Sequence, residues 1–186
     1  SSAAKGVNLG LIIGGVGALI AWWLKPLWDA APLYIASRRL FGEDVTLWEA
    51  WRAALTQMRW ELLPWLLWRR LSPTRSMDMP ITILEQLRGS ARSKRLSVLH
   101  LQNASSGGWL TIVCAHLEMA IGFGLLGLLY WLVPESWIPD TKTWFVGGHV
   151  VIEYLNYAIF AVCAALVGPF YVVAGFAVYI NRRIEL

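Results

Sequence analysis

Three long apolar runs divide the chain and predict helices that cross a membrane. The first run, Val7 to Leu24, carries no charged residue, and the others lie near residues 108–133 and 150–180. A spanning α-helix needs about 20 mostly apolar residues to cross the hydrocarbon core. We therefore predict an all-α integral membrane protein with about three spanning helices, the first of which extends to residue 40.

Prolines follow or interrupt two of these runs and predict broken or kinked helices. Pro26 and Pro32 lie where the helical pattern continues beyond the first run, and Pro169 lies inside the third. A proline inside a helix removes a backbone hydrogen bond and usually bends the helix. We expect a kinked extension of the first span and a third span that tilts, kinks or divides at Pro169.

Residues 42–107, between the first and second spans, predict amphipathic helices on a membrane surface. Thr46 and Glu49 form a capping-box pattern that starts a helix with Trp48, Trp51 and Met58 on its apolar side. Residues 69–80 (RRLSPTRSMDMP) have the composition of a turn-rich loop, and residues 81–102 regain helical spacing. The whole sequence, residues 1–186, is predicted to form one membrane domain.

The distribution of lysine and arginine predicts the orientation of the chain. The segment from Arg38 to Gly107 contains eleven basic residues, and Arg182 and Arg183 follow the last apolar run. The connection at residues 134–142 carries one lysine and two acids. Because basic loops are retained in the cytoplasm, we place the basic segment and the C-terminus there. Three crossings then favour an earlier span, so we expect this sequence to be part of a longer chain.

The basic segment also predicts contacts with anionic lipid headgroups or with an acidic partner protein. Each basic side chain near an anionic leaflet contributes about 1 kcal/mol to binding. Nucleic-acid binding is not predicted, because no recognition motif accompanies the charge. The candidate contacts are Arg69, Arg70, Arg88, Arg92, Lys94 and Arg95.

Charged residues within the predicted spans form a candidate polar site. Lys25 and Asp29 are four residues apart and share a helix face, and Glu118 lies about 15 Å along the second span at helical rise. Lys25 and Asp29 can form a structural pair, and Glu118 a structural hydrogen bond to another helix that could involve Lys25. Alternatively, the three residues line an ion, proton or substrate path.

Overall composition agrees with a membrane protein, because 57% of the residues are hydrophobic and only 15% are charged. Catalysis has no positive signal, since no phosphate-binding loop, nucleophile elbow or zinc-binding motif occurs. His149 and Glu153 favour an interfacial hydrogen bond over a metal site, because two ligands do not complete one. We predict no catalytic residue, metal or cofactor.

Two stretches resemble a known group of membrane proteins. Residues 25–55 (KPLWDAAPLYIASRRLFGEDVTLWEAWRAAL) and 168–186 (GPFYVVAGFAVYINRRIEL) are similar to uncharacterised bacterial inner-membrane proteins and to the membrane domain attached to some glycerophosphodiester phosphodiesterases. The resemblance implies a helical membrane scaffold. It does not imply phosphodiesterase activity, because the catalytic barrel of those enzymes has no counterpart here, and the basic segment at residues 69–89 departs from the pattern.

The sequence therefore predicts a noncatalytic membrane subunit that anchors or organises a larger complex through lipids, other subunits or self-association. The alternative is a transporter or channel-like component in which Lys25, Asp29 and Glu118 line a polar route. An enzyme acting on lipid would need a catalytic constellation that the sequence does not contain.

Overall fold

A computed structural model describes the backbone of residues 2–101, 104–134 and 150–185, and side chains from residue 12 onward within those ranges, except at residues 104, 150 and 151. The described residues form helices, with no strand among them. The helices are α1 (Ser2–Trp23), α2 (Lys25–Arg39), α3 (Leu47–Met58), α4 (Leu62–Leu66), a 3-10 turn (Arg69–Leu71), α5 (Arg75–Ile83), α6 (Gly89–His100), α7 (Ala104–Leu132) and α8 (Val150–Glu185).

Two of these helices are long and apolar enough to cross a membrane. They are Ser105–Leu132 within α7 and Ile152–Glu185 within α8. Their positions agree with the second and third predicted spans. The connection at residues 134–142 that helped to set the orientation, except for Pro134, and His149 of the predicted interfacial pair lie outside the described residues.

The prolines act differently in the first and third predicted spans. The helix breaks at Leu24, and Pro26 occupies the first turn of α2, where its missing N–H costs no helical bond. Pro32 lies inside α2. In contrast, α8 continues without interruption through Pro169, so of the three alternatives for the third span, division into two half-helices does not occur.

The chain divides into two compact units. The apolar unit comprises Ser1–Trp22 and His116–Val167, and the core unit comprises Trp23–Ala115 and Gly168–Leu186. In the apolar unit, Leu126, Ile159 and Cys163 form a small buried cluster. Aromatic rings pack on small residues there, since a Cβ at Gly122 would lie 2.9 Å from the ring of Phe160.

The core unit is organised around α5, which the sequence predicted as a loop. That prediction is wrong. Every residue from Ser76 to Ile83 is buried, and Met77 and Ile81 are fully buried. The apolar surface removed from water outweighs the backbone hydrogen bond that Pro80 forfeits, so packing overrides the local breaker signals.

The predicted continuous helix over residues 81–102 is also interrupted. The backbone turns at Gln86 and Gly89, which have φ values of 53° and 52°, and α6 begins at Gly89. These positive φ values end one helix before the next starts. After this turn, α6 starts as a separate helix whose N-terminus has no side-chain cap.

Helix α3 begins where the sequence predicts. Thr46 and Glu49 form both bonds of the capping box, and Gly42 adopts a φ of 75° just after α2. Of the predicted apolar side, Met58 is buried, together with Ala50 and Ala54, while Trp48 is exposed. Small alanine side chains let α2 and α3 approach closely, which leaves the larger tryptophan outside.

Candidate functional site

A buried ion pair joins α2 to α5 in the core unit. Arg75 donates from Nη2 to Asp29 Oδ2 at 3.1 Å, and both side chains are at most 12% exposed. Arg70 lies close enough to act electrostatically on this pair and donates to the backbone carbonyl of Trp23. Burial, followed by the nearby Arg75, lowers the pKa of Arg70. Asp29 therefore balances positive charge held away from water.

Of the predicted polar site, Lys25 and Asp29 lie together. A Cβ built at Gly168 of α8 would lie 3.5 Å from Asp29 Oδ1 and 4.0 Å from Lys25 Cε, so both side chains border this glycine. Glu118 belongs to the apolar unit, where it is half-buried in α7. The role of these three residues stays a prediction, while Arg75 is a partner of Asp29 that sequence spacing did not indicate.

A cleft of about 370 Å³ lies elsewhere in the core unit and brings together groups that can bind an anion. Arg69 and Arg92 contribute two guanidinium groups, and Ser72 and Ser93 contribute hydroxyl groups. Indole rings and the side chain of Leu96 form apolar parts of the wall. The cleft thus combines cationic, hydrogen-bonding and apolar surfaces.

Arg92 is the most deeply buried cation of the cleft, at 7% exposure. Its Nε donates to Thr82 Oγ1 at 3.2 Å, and its guanidinium lies 5.9 Å from the ring centroid of Trp65. The side chain forms no ion pair within 4.0 Å among the described residues. Burial, followed by repulsion from Arg69, lowers the pKa of Arg92. An anion in the cleft would relieve that repulsion.

Arg69 is anchored beside Arg92 through an ion pair with Glu61. Glu61 is buried, so it fixes the Arg69 side chain at the cleft wall. Arginine offers five donors in a planar fork, and a single carboxylate does not satisfy all of them. Arg69 can therefore bind a second anion while it keeps Glu61.

Asp78 is the acidic residue among the described residues that line the cleft, and both of its carboxylate oxygens already have hydrogen-bond partners. Thr74 donates to Oδ2 at 2.7 Å, and His100 Nε2 lies 2.7 Å from Oδ1. The hydrogen bond with Asp78 outweighs burial and raises the pKa of His100. The protonated form of His100 is thus favoured next to the carboxylate, and it offsets the negative charge of Asp78.

The N-terminus of α6 adds backbone donors to this wall. Gly89, its first residue, lines the cleft, and Arg88 provides no side-chain cap. The N–H groups in the first turn of a helix have no intrahelical acceptor and attract anions through the helix dipole. Gly89 therefore brings the backbone at the start of α6, where these N–H groups begin, to the wall of the cleft.

The structure separates the six basic residues that the sequence grouped together. Only Arg69 and Arg92 line the cleft, while Arg70 belongs to the Asp29 cluster. Arg95 donates to both carboxylate oxygens of Glu85, at 3.0 to 3.3 Å. Arg88, Arg92 and Arg95 do not form one exposed basic helix face, because Arg88 is exposed, Arg92 is buried and Arg95 is paired. Lys94 is exposed.

Glu85 shows how the end of α5 is tied to α6 and α8. It accepts hydrogen bonds from Arg95 and from the hydroxyl of Tyr179. Burial raises the pKa of Glu85, but these bonds outweigh burial and hold the pKa below its ordinary value. The ionised carboxylate thus stabilises the helices behind the cleft.

Nothing in the described ranges brings together three His, Cys, Asp or Glu side chains as a metal site requires. The chemistry that the cleft can perform is binding, by charge and hydrogen bonds. Compared with known protein families, characterised proteins and solved structures, the chain matches none, and its similarity to the phosphodiesterase-linked membrane domain stays a prediction from the sequence.

Proposed function

We propose that this chain is a noncatalytic integral membrane subunit that anchors or organises a larger membrane complex. One observation carries the proposal: α7 is strongly apolar and almost entirely uncovered. Only 11% of its most apolar 18-residue window is buried within the protein. The core helix of a water-soluble protein is mostly buried, so the exposure of α7 supports lipid or a partner helix as its surroundings.

The exposed apolar side chains of α7 lie on much more than one face. At about 100° per residue they cover roughly 220° of the circumference of the helix. The exposed fraction reaches 81% at Trp131 and 59% at Phe123. The exposed set comprises Trp109, Ile112, Val113, Leu117, Met119, Phe123, Leu128, Trp131 and Leu132.

Helix α8 supports the same environment on one side only. Val162, Leu166 and Phe170 are spaced by four residues and are exposed, whereas Cys163 and Val167 are buried. Residues four apart share a helix face, so α8 offers one face to the protein and another to its surroundings. This arrangement fits a helix at the border between a packed core and lipid.

Tryptophan placement supports a membrane interface as well. Trp side chains favour the boundary between the hydrocarbon core and water, where the ring is apolar and the N–H can reach polar groups. Among the described residues, eight are exposed: Trp22, Trp23, Trp28, Trp48, Trp60, Trp68, Trp109 and Trp131. We propose three spans, with α1 as the first, and a basic segment on the cytoplasmic side of a bacterial inner membrane.

Transport is the second candidate function, and the charged cluster at the break between α1 and α2 favours it. Lys25, Asp29, Arg75 and Arg70 are grouped where the helix is interrupted, as charged groups are in some transporters. The buried hydrogen-bonded contact between Asp29 and Arg75, at 3.1 Å, instead fits a structural ion pair. We therefore favour the scaffold over transport.

The test is to isolate the chain from membranes at native expression level in lipid nanodiscs and to determine its mass by native mass spectrometry. The scaffold function predicts that the chain resists alkaline extraction and is held with other subunits in fixed stoichiometry. An isolated chain that moves ions across proteoliposomes would overturn the scaffold in favour of transport. Release by alkaline extraction would refute membrane integration.

A further inference from the structure

We propose that the cleft bordered by Arg69 and Arg92 binds the phosphate group of an anionic phospholipid. The proposal rests on the membrane function proposed above and names a ligand class for its core unit. Its basis is the meeting of two guanidinium groups, two hydroxyl groups and a helix N-terminus in one cleft of about 370 Å³.

Among the side chains that line the cleft, the buried cation of Arg92 would gain most from an anionic ligand. It is 93% removed from solvent, as its 7% exposure shows, and it donates only through Nε to Thr82 among the described residues. The two Nη groups therefore keep their donors for a ligand in the cleft. A phosphate oxygen pair matches the planar fork of arginine and forms charge-assisted hydrogen bonds with it.

The other groups of the cleft extend the same recognition. Ser93 is exposed on the wall and follows Arg92 in the first turn and a half of α6. Its hydroxyl and the backbone N–H groups near Gly89 can donate to the same phosphate. Ser72 also lies on the wall, and its hydroxyl donates to that of Thr74 at 3.0 Å, since Thr74 gives its own proton to Asp78; a phosphate would have to replace this bond.

An apolar surface next to the cleft indicates a lipid in preference to a small soluble phosphate. Trp68 lines the cleft and is 62% exposed, and Leu67 and Leu71, one and three residues away in the chain, are exposed as well. Leu63, one turn earlier, is 71% exposed. Apolar side chains beside a cationic cleft suit an amphiphile, whose headgroup enters the cleft while its acyl chains cover the leucines.

The experiment uses native mass spectrometry of the full chain in detergent, titrated at pH 7 with dioleoyl-phosphatidylglycerol. Dioleoyl-phosphatidylcholine and inorganic phosphate are titrated separately as the zwitterionic and the soluble probes. The variant Ser93→Asp places a negative charge in the cleft without removing a buried group. Ser97→Asp is the matched control, since Ser97 is exposed on the same helix and does not line the cleft.

We expect phosphatidylglycerol to bind wild type and Ser97→Asp alike, and to bind Ser93→Asp at least about tenfold more weakly through charge repulsion. Phosphatidylcholine and inorganic phosphate should bind more weakly than phosphatidylglycerol to the wild type. Equal phosphatidylglycerol affinity for the two aspartate variants would overturn the site. If inorganic phosphate binds the wild type tightly and Ser93→Asp weakens that binding, the lipid assignment is overturned and the ligand is a soluble anion.

A second variant keeps the test decisive if Ser93→Asp does not fold, as judged by circular dichroism. Trp68→Ala removes an exposed indole from the cleft wall and should weaken phosphatidylglycerol binding several-fold. Unchanged binding would contradict the proposal. Alkaline extraction of the same variants reports membrane integration separately, so a failure of lipid recognition is distinguishable from a failure of the membrane function.

Discussion

The crossing of α5 and α8 at Gly175 yields a sharp prediction for stability. A Cβ at this position would overlap the side chain of Ser76 and lie 2.7 Å from the carbonyl carbon of Ser76. Ser76 is 1% exposed and its backbone is part of α5, so it cannot rotate away. Gly175→Ala therefore forces the two helices apart.

The magnitude follows from two opposing effects. To restore an ordinary contact of 3.4 Å from 2.7 Å, the α5 backbone must move by at least about 0.7 Å against a packed core, and Ser76 Cβ, which is fixed to that backbone and lies closer still, requires a larger movement. Inserting a carbon into a packed interior costs about 1–3 kcal/mol, whereas alanine in a helix gains roughly 0.5–1 kcal/mol over glycine. We expect Gly175→Ala to lower the free energy of unfolding by about 1–2 kcal/mol.

The assay is thermal unfolding of the full chain in one detergent, followed by circular dichroism at a helical wavelength. At about 2–4 °C per kcal/mol for a chain of this size, the midpoint should fall by roughly 2–8 °C. Gly108→Ala in α7 is the matched control, because a Cβ there would meet nothing within 4 Å, and it should not lower the midpoint. A Gly175→Ala midpoint equal to or above that of the wild type would refute the packing of α5 on α8.

Three further variants test other contacts of the core unit by the same unfolding assay. Asp29→Asn should lower the free energy of unfolding by about 3–5 kcal/mol, because it leaves the buried Arg75 without its carboxylate partner. Asp44→Asn removes an exposed ion pair with Arg39 and should lower it by less than about 1 kcal/mol. Equal effects of the two variants would contradict the buried pair. Thr46→Ala should cost about 1 kcal/mol by deleting the cap of α3, and a neutral result would count against that cap. Because the folded state raises the pKa of His100 above 6.5, the stability contributed by protonated His100 is complete below pH 6.5 and declines as the pH rises through the raised pKa. His100→Gln should therefore flatten the dependence of the unfolding midpoint on pH. An unchanged pH profile in this variant would argue against the His100–Asp78 bond.

Periodicity and local signals predict the parts of the fold that depend on neighbouring residues. The two long apolar helices, α7 and α8, follow from apolar length, and the start of α3 follows from Thr46 and Glu49, whose bonds lie within one turn. The break after α1 follows from Pro26. Each of these features needs no information about distant residues.

The features that the sequence does not predict depend on distant residues. Helix α5 contains Pro80 and two serine or threonine residues, and only burial against other helices makes it stable. Arg75 pairs with Asp29 across 46 positions, which no helical spacing indicates.

The cleft could be predicted only in part. The sequence indicates Arg69 and Arg92 as candidate lipid contacts but groups them with four other basic residues that lie elsewhere. Gly89, in the middle of the predicted helix over residues 81–102, was the available signal for an interruption, whereas the turn at Gln86 was not expected. Charge composition thus predicts an anionic ligand, and the geometry of the cleft reduces the six candidate contacts to the two that line it.

The most direct test of the central claim measures the surroundings of α7. Nitroxide labels at Phe123→Cys and Leu128→Cys, with Cys114 and Cys163 replaced by serine, are compared in phospholipid vesicles with a label at Ser97→Cys on α6. The membrane account predicts that both α7 labels collide readily with oxygen and are shielded from a water-soluble nickel chelate, unlike the exposed Ser97 position. Nickel accessibility at Phe123 and Leu128 equal to that at Ser97 would place α7 in water and contradict the account.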